Sequence, residues 1–124
     1  MAVNPYEAYK KQSVLTMTQG EMLNKLYEEA VKQLEFAQVY IENKDFAKTN
    51  DSLKRAQKII LHLRSTLNFQ YEISNNLASL YDYFVQRIVE ANVKKNVAPL
   101  KEITPMIKEL KDTFAQADKL ARKG

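Results

Sequence analysis

The chain has 124 residues, a length typical of one domain that buries an apolar core. The composition includes only two glycines and three prolines, which favours helix, and no cysteine, which excludes a disulfide framework and a thiolate nucleophile. The net charge of +4 comes from bases mixed with acids along every predicted helix, so nucleic acid is not an expected partner.

The first seventeen residues predict an N-terminal arm. Asn4, Pro5 and Glu7 form a helix-start pattern, so the arm can hold a short extra helix. Tyr6 and Tyr9 follow one turn apart, but this apolar surface is too small to fold alone. We therefore expect the arm to dock on the rest of the chain.

Two long helices come next. Thr18 and Glu21 form a capping box that starts the first, over residues 20–42. Asp45 caps the second, over residues 46–67. Apolar residues recur along both at steps of three and four, which places them on one face of each helix.

The third helix, predicted over residues 75–94 with Ser74 as its cap, is apolar on more than one face. Tyr83 and Val89 point away from its core stripe, where a helix that faces only water carries polar groups. The core stripe consists of Leu77, Tyr81, Phe84, Ile88 and Ala91. The surplus apolar surface suggests a binding groove.

A fourth helix follows Asn96, its predicted cap, with Pro99 in the first turn. Its stripe consists of Leu100, Ile103, Ile107, Leu110, Phe114, Ala117 and Ala121. Pro105 interrupts this pattern, and either the helix is kinked and continuous there or Thr104 caps its true start. We favour the kinked, continuous helix because Pro105 falls on the outward side of the stripe, where water can satisfy the freed carbonyl.

Short loops between these four helices require sequence neighbours to be antiparallel. The predicted fold is all-α, an antiparallel up-down-up-down four-helix bundle over residues 18–124, preceded by the arm over residues 1–17. No leader opens the sequence and no apolar run approaches the length of a membrane span. We therefore expect a cytoplasmic protein that does not insert into membranes.

Catalytic and metal sites are hard to build from these residues. The single histidine, His62, lacks the Glu-x-x-His spacing of carboxylate-bridged metal bundles. It faces outward, which leaves a histidine phosphotransfer module as the alternative function, although Ser65 and Thr66 stand where such modules carry Lys and Gly. We expect no enzyme, no cofactor and no metal.

Several stretches resemble the FliS family of flagellin export chaperones. They are NPYEAY at 4–9, TQGEML and LYEEAV within 18–31, AQKIILHLRSTLNF at 56–69, and NLASLYDYFVQRIVEAN at 76–92. The resemblance spans nearly the whole chain, and the segments follow in the order of the family.

The resemblance implies a cytosolic chaperone that holds the C-terminal segment of flagellin and delivers it to a component of the flagellar type III export gate. The free protein would be a monomer or a helix-swapped homodimer. Independently of the resemblance, the two tyrosines of the arm lead us to expect that it covers the client groove until flagellin displaces it. The predicted partner-binding residues are Tyr6, Tyr9, Ile59, Leu67, Leu80, Tyr83, Val85, Val89 and Asn92.

Overall fold

The computed structural model describes residues 17–123, which form four α-helices and no strand. These are α1 (Gln19–Glu42), α2 (Phe46–Ser65), α3 (Ile73–Lys94) and α4 (Ala98–Lys123). The predictions for the arm, with Tyr6 and Tyr9, lie outside the described residues.

The helices pack as a four-membered bundle. Both α1 and α3 pack along α2 and α4, so helices adjacent in sequence are adjacent in space. Turns at 43–45 and 95–97 join the helices at one end, and a longer connection at 66–72 joins them at the other. The structure thus confirms the predicted all-α four-helix bundle.

The core is apolar with one polar contact across its diagonal. The hydroxyls of Tyr27 on α1 and Tyr81 on α3 share a hydrogen bond in the interior. The Tyr27 ring also stacks on Phe114 of α4, with centroids 5.8 Å apart. Other fully buried side chains of the core are Leu34, Leu53, Ile60, Leu63, Phe84, Ile88, Leu100, Ile103 and Ile107.

Side-chain caps begin the helices largely as predicted. The Thr18 hydroxyl accepts a hydrogen bond from the Glu21 backbone N–H at 3.1 Å. The Asp45 carboxylate accepts one from the Lys48 N–H at 3.2 Å. Asn96 stands before α4 and accepts from the Ala98 N–H at 3.0 Å. Each cap satisfies a donor that has no partner within its own helix.

Two boundary predictions were wrong. Ser74 is not a cap, because α3 already begins at Ile73 and the buried Ser74 hydroxyl donates to the Asn68 carbonyl at 2.6 Å. The second helix ends at Ser65 and excludes Leu67. Local hydrogen bonds by Ser and Thr explain both differences, since such bonds compete with the regular helix pattern.

The fourth helix is continuous through Pro105, which confirms that part of the favoured prediction, while the kink stays a prediction. Pro105 is exposed, so water can reach the carbonyl of Lys101 that a proline leaves without its helical donor. Thr104 is buried within the helix and donates its hydroxyl to the Leu100 carbonyl at 2.7 Å, so it is not a cap.

The C-terminal third of α4 departs from the predicted stripe. Leu110 and Phe114 are half-buried, and Ala117 and Ala121 are exposed rather than in the core. The reason is a difference in helix length. The Tyr83 hydroxyl of α3 donates to Glu102 of α4, so these two residues lie side by side. Ile73, the first residue of α3, precedes Tyr83 by ten residues and, because the two helices are antiparallel, lies opposite a point about ten residues after Glu102. Beyond that point α4 continues without α3 beside it.

The end of α4 lies beside the beginning of α1. The Asp118 carboxylate is so close to Gly20 that a Cβ at that position would overlap it. A glycine in the first turn of α1 therefore permits a close approach, and it places a negative group near the positive end of the helix dipole.

Candidate functional site

Exposed apolar side chains lie at several places on the described bundle, and two of these places concern us here. We call the first the α2–α3 strip, made of the exposed Leu61, Val89 and Val93 and the half-buried Val85. We call the second the open end, made of Phe69, Tyr71, Ile73 and Leu120 at the end of the bundle where α1 begins and α4 stops. Contiguous apolar surface of this kind is a common mark of a binding site.

Two polar clasps frame the α2–α3 strip. Arg64 of α2 donates to Asp82 of α3 through Nε at 2.6 Å and a second nitrogen at 3.2 Å. Toward the other end of the strip, the Asn92 amide donates to the Asn50 side-chain oxygen at 2.9 Å. These contacts join the two helices on one side of the bundle.

The residues of the strip lie between the clasps or just beyond them. Asp82, Val85, Val89 and Asn92 follow at steps of three, four and three, so they share the face of α3 that borders α2. Leu61 precedes Arg64 by three residues and lies on the matching face of α2. Leu61 is 44% exposed and Val89 is 41% exposed, so a helix laid along the strip would cover them.

The predicted partner-binding residues occupy three different sides of the bundle. Val85, Val89 and Asn92 belong to the side where α2 meets α3. Leu80 and Tyr83 instead face α4, because the Tyr83 hydroxyl donates to Glu102 and Leu80 precedes it by three residues. The structure therefore does not bring Tyr83 and Val89 into one groove.

Ile59 lies on the third side. It shares a helix face with His62 and Thr66, which line a cleft against Met22 of α1. Ile59 and Leu67 are half-buried and pack against the core. Their role in partner binding remains a prediction, as does that of Tyr6 and Tyr9 outside the described residues.

A charged network surrounds Tyr83. Arg87 donates from Nε to Glu102 at 2.7 Å and also pairs with Glu90, which Lys94 contacts at 3.3 Å. The hydrogen bond from Tyr83, assisted by Arg87, holds the pKa of Glu102 below its ordinary value. The same hydrogen bond raises the pKa of Tyr83. These partners hold the Tyr83 ring against α4 although the residue is exposed.

His62 is exposed beside the cleft between α1 and α2. Within residues 17–123, no three His, Cys, Asp or Glu side chains are grouped so that they could hold a metal ion. None of the four described helices combines the length and the hydropathy needed to span a bilayer.

Sequence reasoning missed most of the exposed apolar side chains. Phe69, Tyr71 and Ile73 are 53%, 64% and 63% exposed and alternate with polar residues through the connection into α3. This alternation was a visible signal. Leu61 and Val93 extend the stripe of Val89 across to α2 and along α3, but only the pairing of the helices shows that Leu61 belongs beside it.

Comparison with known proteins gives a consistent result. Residues 2–121 match the family model described as "Flagellar protein FliS". The chain is 38% identical over 120 residues to the flagellar secretion chaperone FliS of Bacillus subtilis, covering 97% of this chain and 90% of that protein.

More distant relatives carry the same description. The Vibrio cholerae flagellar secretion chaperone FliS is 28% identical over 116 residues, covering 89% of this chain and 85% of that protein. The Salmonella typhimurium protein of the same name is 24% identical over 107 residues, with coverages of 84% and 79%. None of these comparisons supports the phosphotransfer alternative at His62.

Proposed function

The chain belongs to the FliS family of flagellar proteins, and we propose that it is a flagellar secretion chaperone that binds the C-terminal segment of flagellin. The observation that carries this proposal is the α2–α3 strip, an exposed apolar surface on a bundle whose core is already filled. Such a surface suits an amphipathic helix that lays its apolar face into a groove.

The size of the strip fits one client helix. Asn50 and Arg64 mark the two clasps on α2, and fourteen residues of helix separate them, a length of about 21 Å. A client helix of about four turns would cover this length. A disordered segment that folds on binding must offset its ordering cost with apolar contact, which the strip supplies.

Holding flagellin in this way would prevent its premature polymerisation in the cytosol. Delivery of the complex to a component of the type III export gate would then follow, and the protein would act by binding rather than by catalysis. The open end and the arm with Tyr6 and Tyr9 offer surfaces for this second step or for covering the groove. The free protein would be a monomer or a helix-swapped homodimer, which sedimentation distinguishes.

The proposal is tested by titrating the full chain with the C-terminal segment of the cognate flagellin. We expect saturable binding by calorimetry and a gain of helix by circular dichroism, because the client folds on the bundle. Val89→Asp should weaken binding more than tenfold, about 1.4 kcal/mol, by placing a charge within the apolar contact.

Val39→Asp is the matched control. Val39 is an exposed valine on α1 that lines the groove against α4, away from the strip. The Val39→Asp variant should bind the flagellin segment with the same affinity as the unmodified chain. Absence of any binding would reject the chaperone proposal, and equal losses in both variants would place the client elsewhere on the bundle.

A further inference from the structure

The two borders of the α2–α3 strip differ in charge. On α2, Lys54 and Lys58 precede Leu61 by seven and three residues, so they line the outer edge of the strip. Both lysines are exposed, and neither forms an ion pair within residues 17–123. On α3, the outer edge carries the exposed, uncharged residues Ser79 and Gln86.

The ionised groups closest to the strip do not neutralise this border. Asp82 is bonded to Arg64 at the clasp, so its charge is already matched. Asp51 precedes Lys54 by three residues but forms no ion pair with it. The strip therefore has a cationic border on α2 and a neutral border on α3.

The opposite side of the bundle shows a different arrangement. The groove between α1 and α4 is lined by both glutamates and lysines, and Glu35 pairs with Lys108 at 3.7 Å across it. Four acidic residues and four lysines line that groove, so their charges balance in number. The uncompensated pair of lysines thus distinguishes the strip from another groove of the same bundle.

We propose that Lys54 and Lys58 select and orient the client by its charge: the occupant of the strip is an amphipathic helix with carboxylates along one border of its apolar stripe. This inference rests on the proposed function, and it adds the charge pattern of the segment that binds. A helix laid in the reverse direction, or rotated about its axis, would place its carboxylates beside the neutral border. Complementary charge at the rim of a contact mainly fixes register and speeds association.

The test compares two forms of the flagellin C-terminal segment, one with its natural carboxylates and one with every Asp and Glu replaced by the corresponding amide. Each is titrated with the full chain and with the double variant Lys54→Glu, Lys58→Glu. At low salt we expect the double variant to bind the natural segment about tenfold more weakly than the unmodified chain does, since exposed charge pairs contribute modestly. The amide form should bind the double variant and the unmodified chain about equally well. At 0.5 M salt the difference should fall to about twofold, because screening shortens the range of the interaction.

The control is Lys101→Glu with Lys119→Glu, which changes the net charge equally at two exposed lysines of α4. It should leave affinity for the natural segment within about twofold. If both double variants lose affinity equally, net charge is responsible and the proposal is overturned. If the natural segment binds but neither lysine variant nor amidation changes its affinity, the orienting role is wrong while the chaperone function stands. Failure of the unmodified chain to bind either segment would instead reject the function itself.

Discussion

The two ends of the bundle use similar residues with different results. At the end joined by the turns 43–45 and 95–97, which we call the closed end, the core-facing positions Leu53, Ala91, Leu100 and Ile103 are fully buried. At the open end the same α4 stripe continues as half-buried Phe114 and exposed Ala117 and Ala121. The stripe is apolar throughout, so the difference lies in what packs against it. The closed end stabilises the fold, whereas the open end carries apolar surface beyond what packing within residues 17–123 uses.

The largest expected effect tests that division directly. Ile103→Ala, at the closed end, should lower the free energy of unfolding by about 2–5 kcal/mol, because it leaves a cavity in a filled core. Ile73→Ala, which removes a largely exposed side chain at the open end, should stay within about 0.5 kcal/mol. Urea unfolding followed by circular dichroism measures both. Equal losses would mean that the open end is as tightly packed as the closed end.

A second effect concerns the layer beneath the open end. Tyr27→Phe should destabilise the bundle by about 1–3 kcal/mol, because it leaves the buried Tyr81 hydroxyl without its partner. The double variant Tyr27→Phe, Tyr81→Phe should cost less than the sum of the two single changes, since no buried hydroxyl is left unpaired. Additive losses in thermal or urea unfolding would show that the two hydroxyls act independently.

The same pair predicts a loss of stability in alkali. Burial raises the pKa of Tyr27 and of Tyr81 above the ordinary value of 10.0, with the hydrogen bond to Tyr81 raising that of Tyr27 further. The unfolded chain would ionise near pH 10 while the folded chain stays neutral, so the stability from this pair is present below that pH and declines above it. The double phenylalanine variant should show a shallower decline. An unchanged slope would assign alkaline unfolding to other groups.

Removing residues 1–17 is expected to change flagellin affinity, and this effect is smaller than the losses of stability above. The change tests whether the arm covers the exposed apolar surface of the bundle. If the arm competes with the client, only the fraction of molecules with an undocked arm can bind flagellin, and the apparent affinity is reduced by that fraction. Truncation should then tighten flagellin binding by about tenfold. Calorimetry with the full chain, with residues 18–124 and with Tyr6→Ser, Tyr9→Ser compares the three. Weaker binding by both altered forms would make the arm part of the client site.

The smallest effect lies on the outer face of α3 and α4. The pKa of Glu102 is lowered by its hydrogen bonds from Tyr83 and Arg87, so their stabilisation is present above the ordinary carboxyl value of 4.5 and is lost as the pH falls through the folded pKa. Glu102→Gln should therefore flatten the dependence of unfolding on pH in acid. The side chains are exposed, so the change should be slight. A steeper dependence in the variant would contradict this assignment.

The sequence predicted the four helices well because each carries a regular apolar stripe, and the caps at Thr18 and Asp45 were readable from residue type. It did not predict where a stripe stops being covered. The exposure of Ala117 depends on α3 being shorter than α4, and the apolar pattern of α4 alone carries no information on the length of α3. The outward positions of Tyr83 and Val89 were predicted correctly, with 36% and 41% of each exposed. Their separation onto different sides depends on which neighbouring helix each one borders.

The contact between Gly20 and Asp118 brings the beginning and the end of the bundle together at the open end. A segment genetically fused behind α4 would start at the open end, and a flexible linker would let it reach the apolar surfaces of the open end and of the α2–α3 strip. Its encounter with them would be intramolecular, at a local concentration on the order of millimolar for a short flexible linker. At that local concentration even weak contacts between the client and the chaperone would be formed. A fusion of the client behind α4 is therefore well suited to the study of these contacts in one tethered molecule.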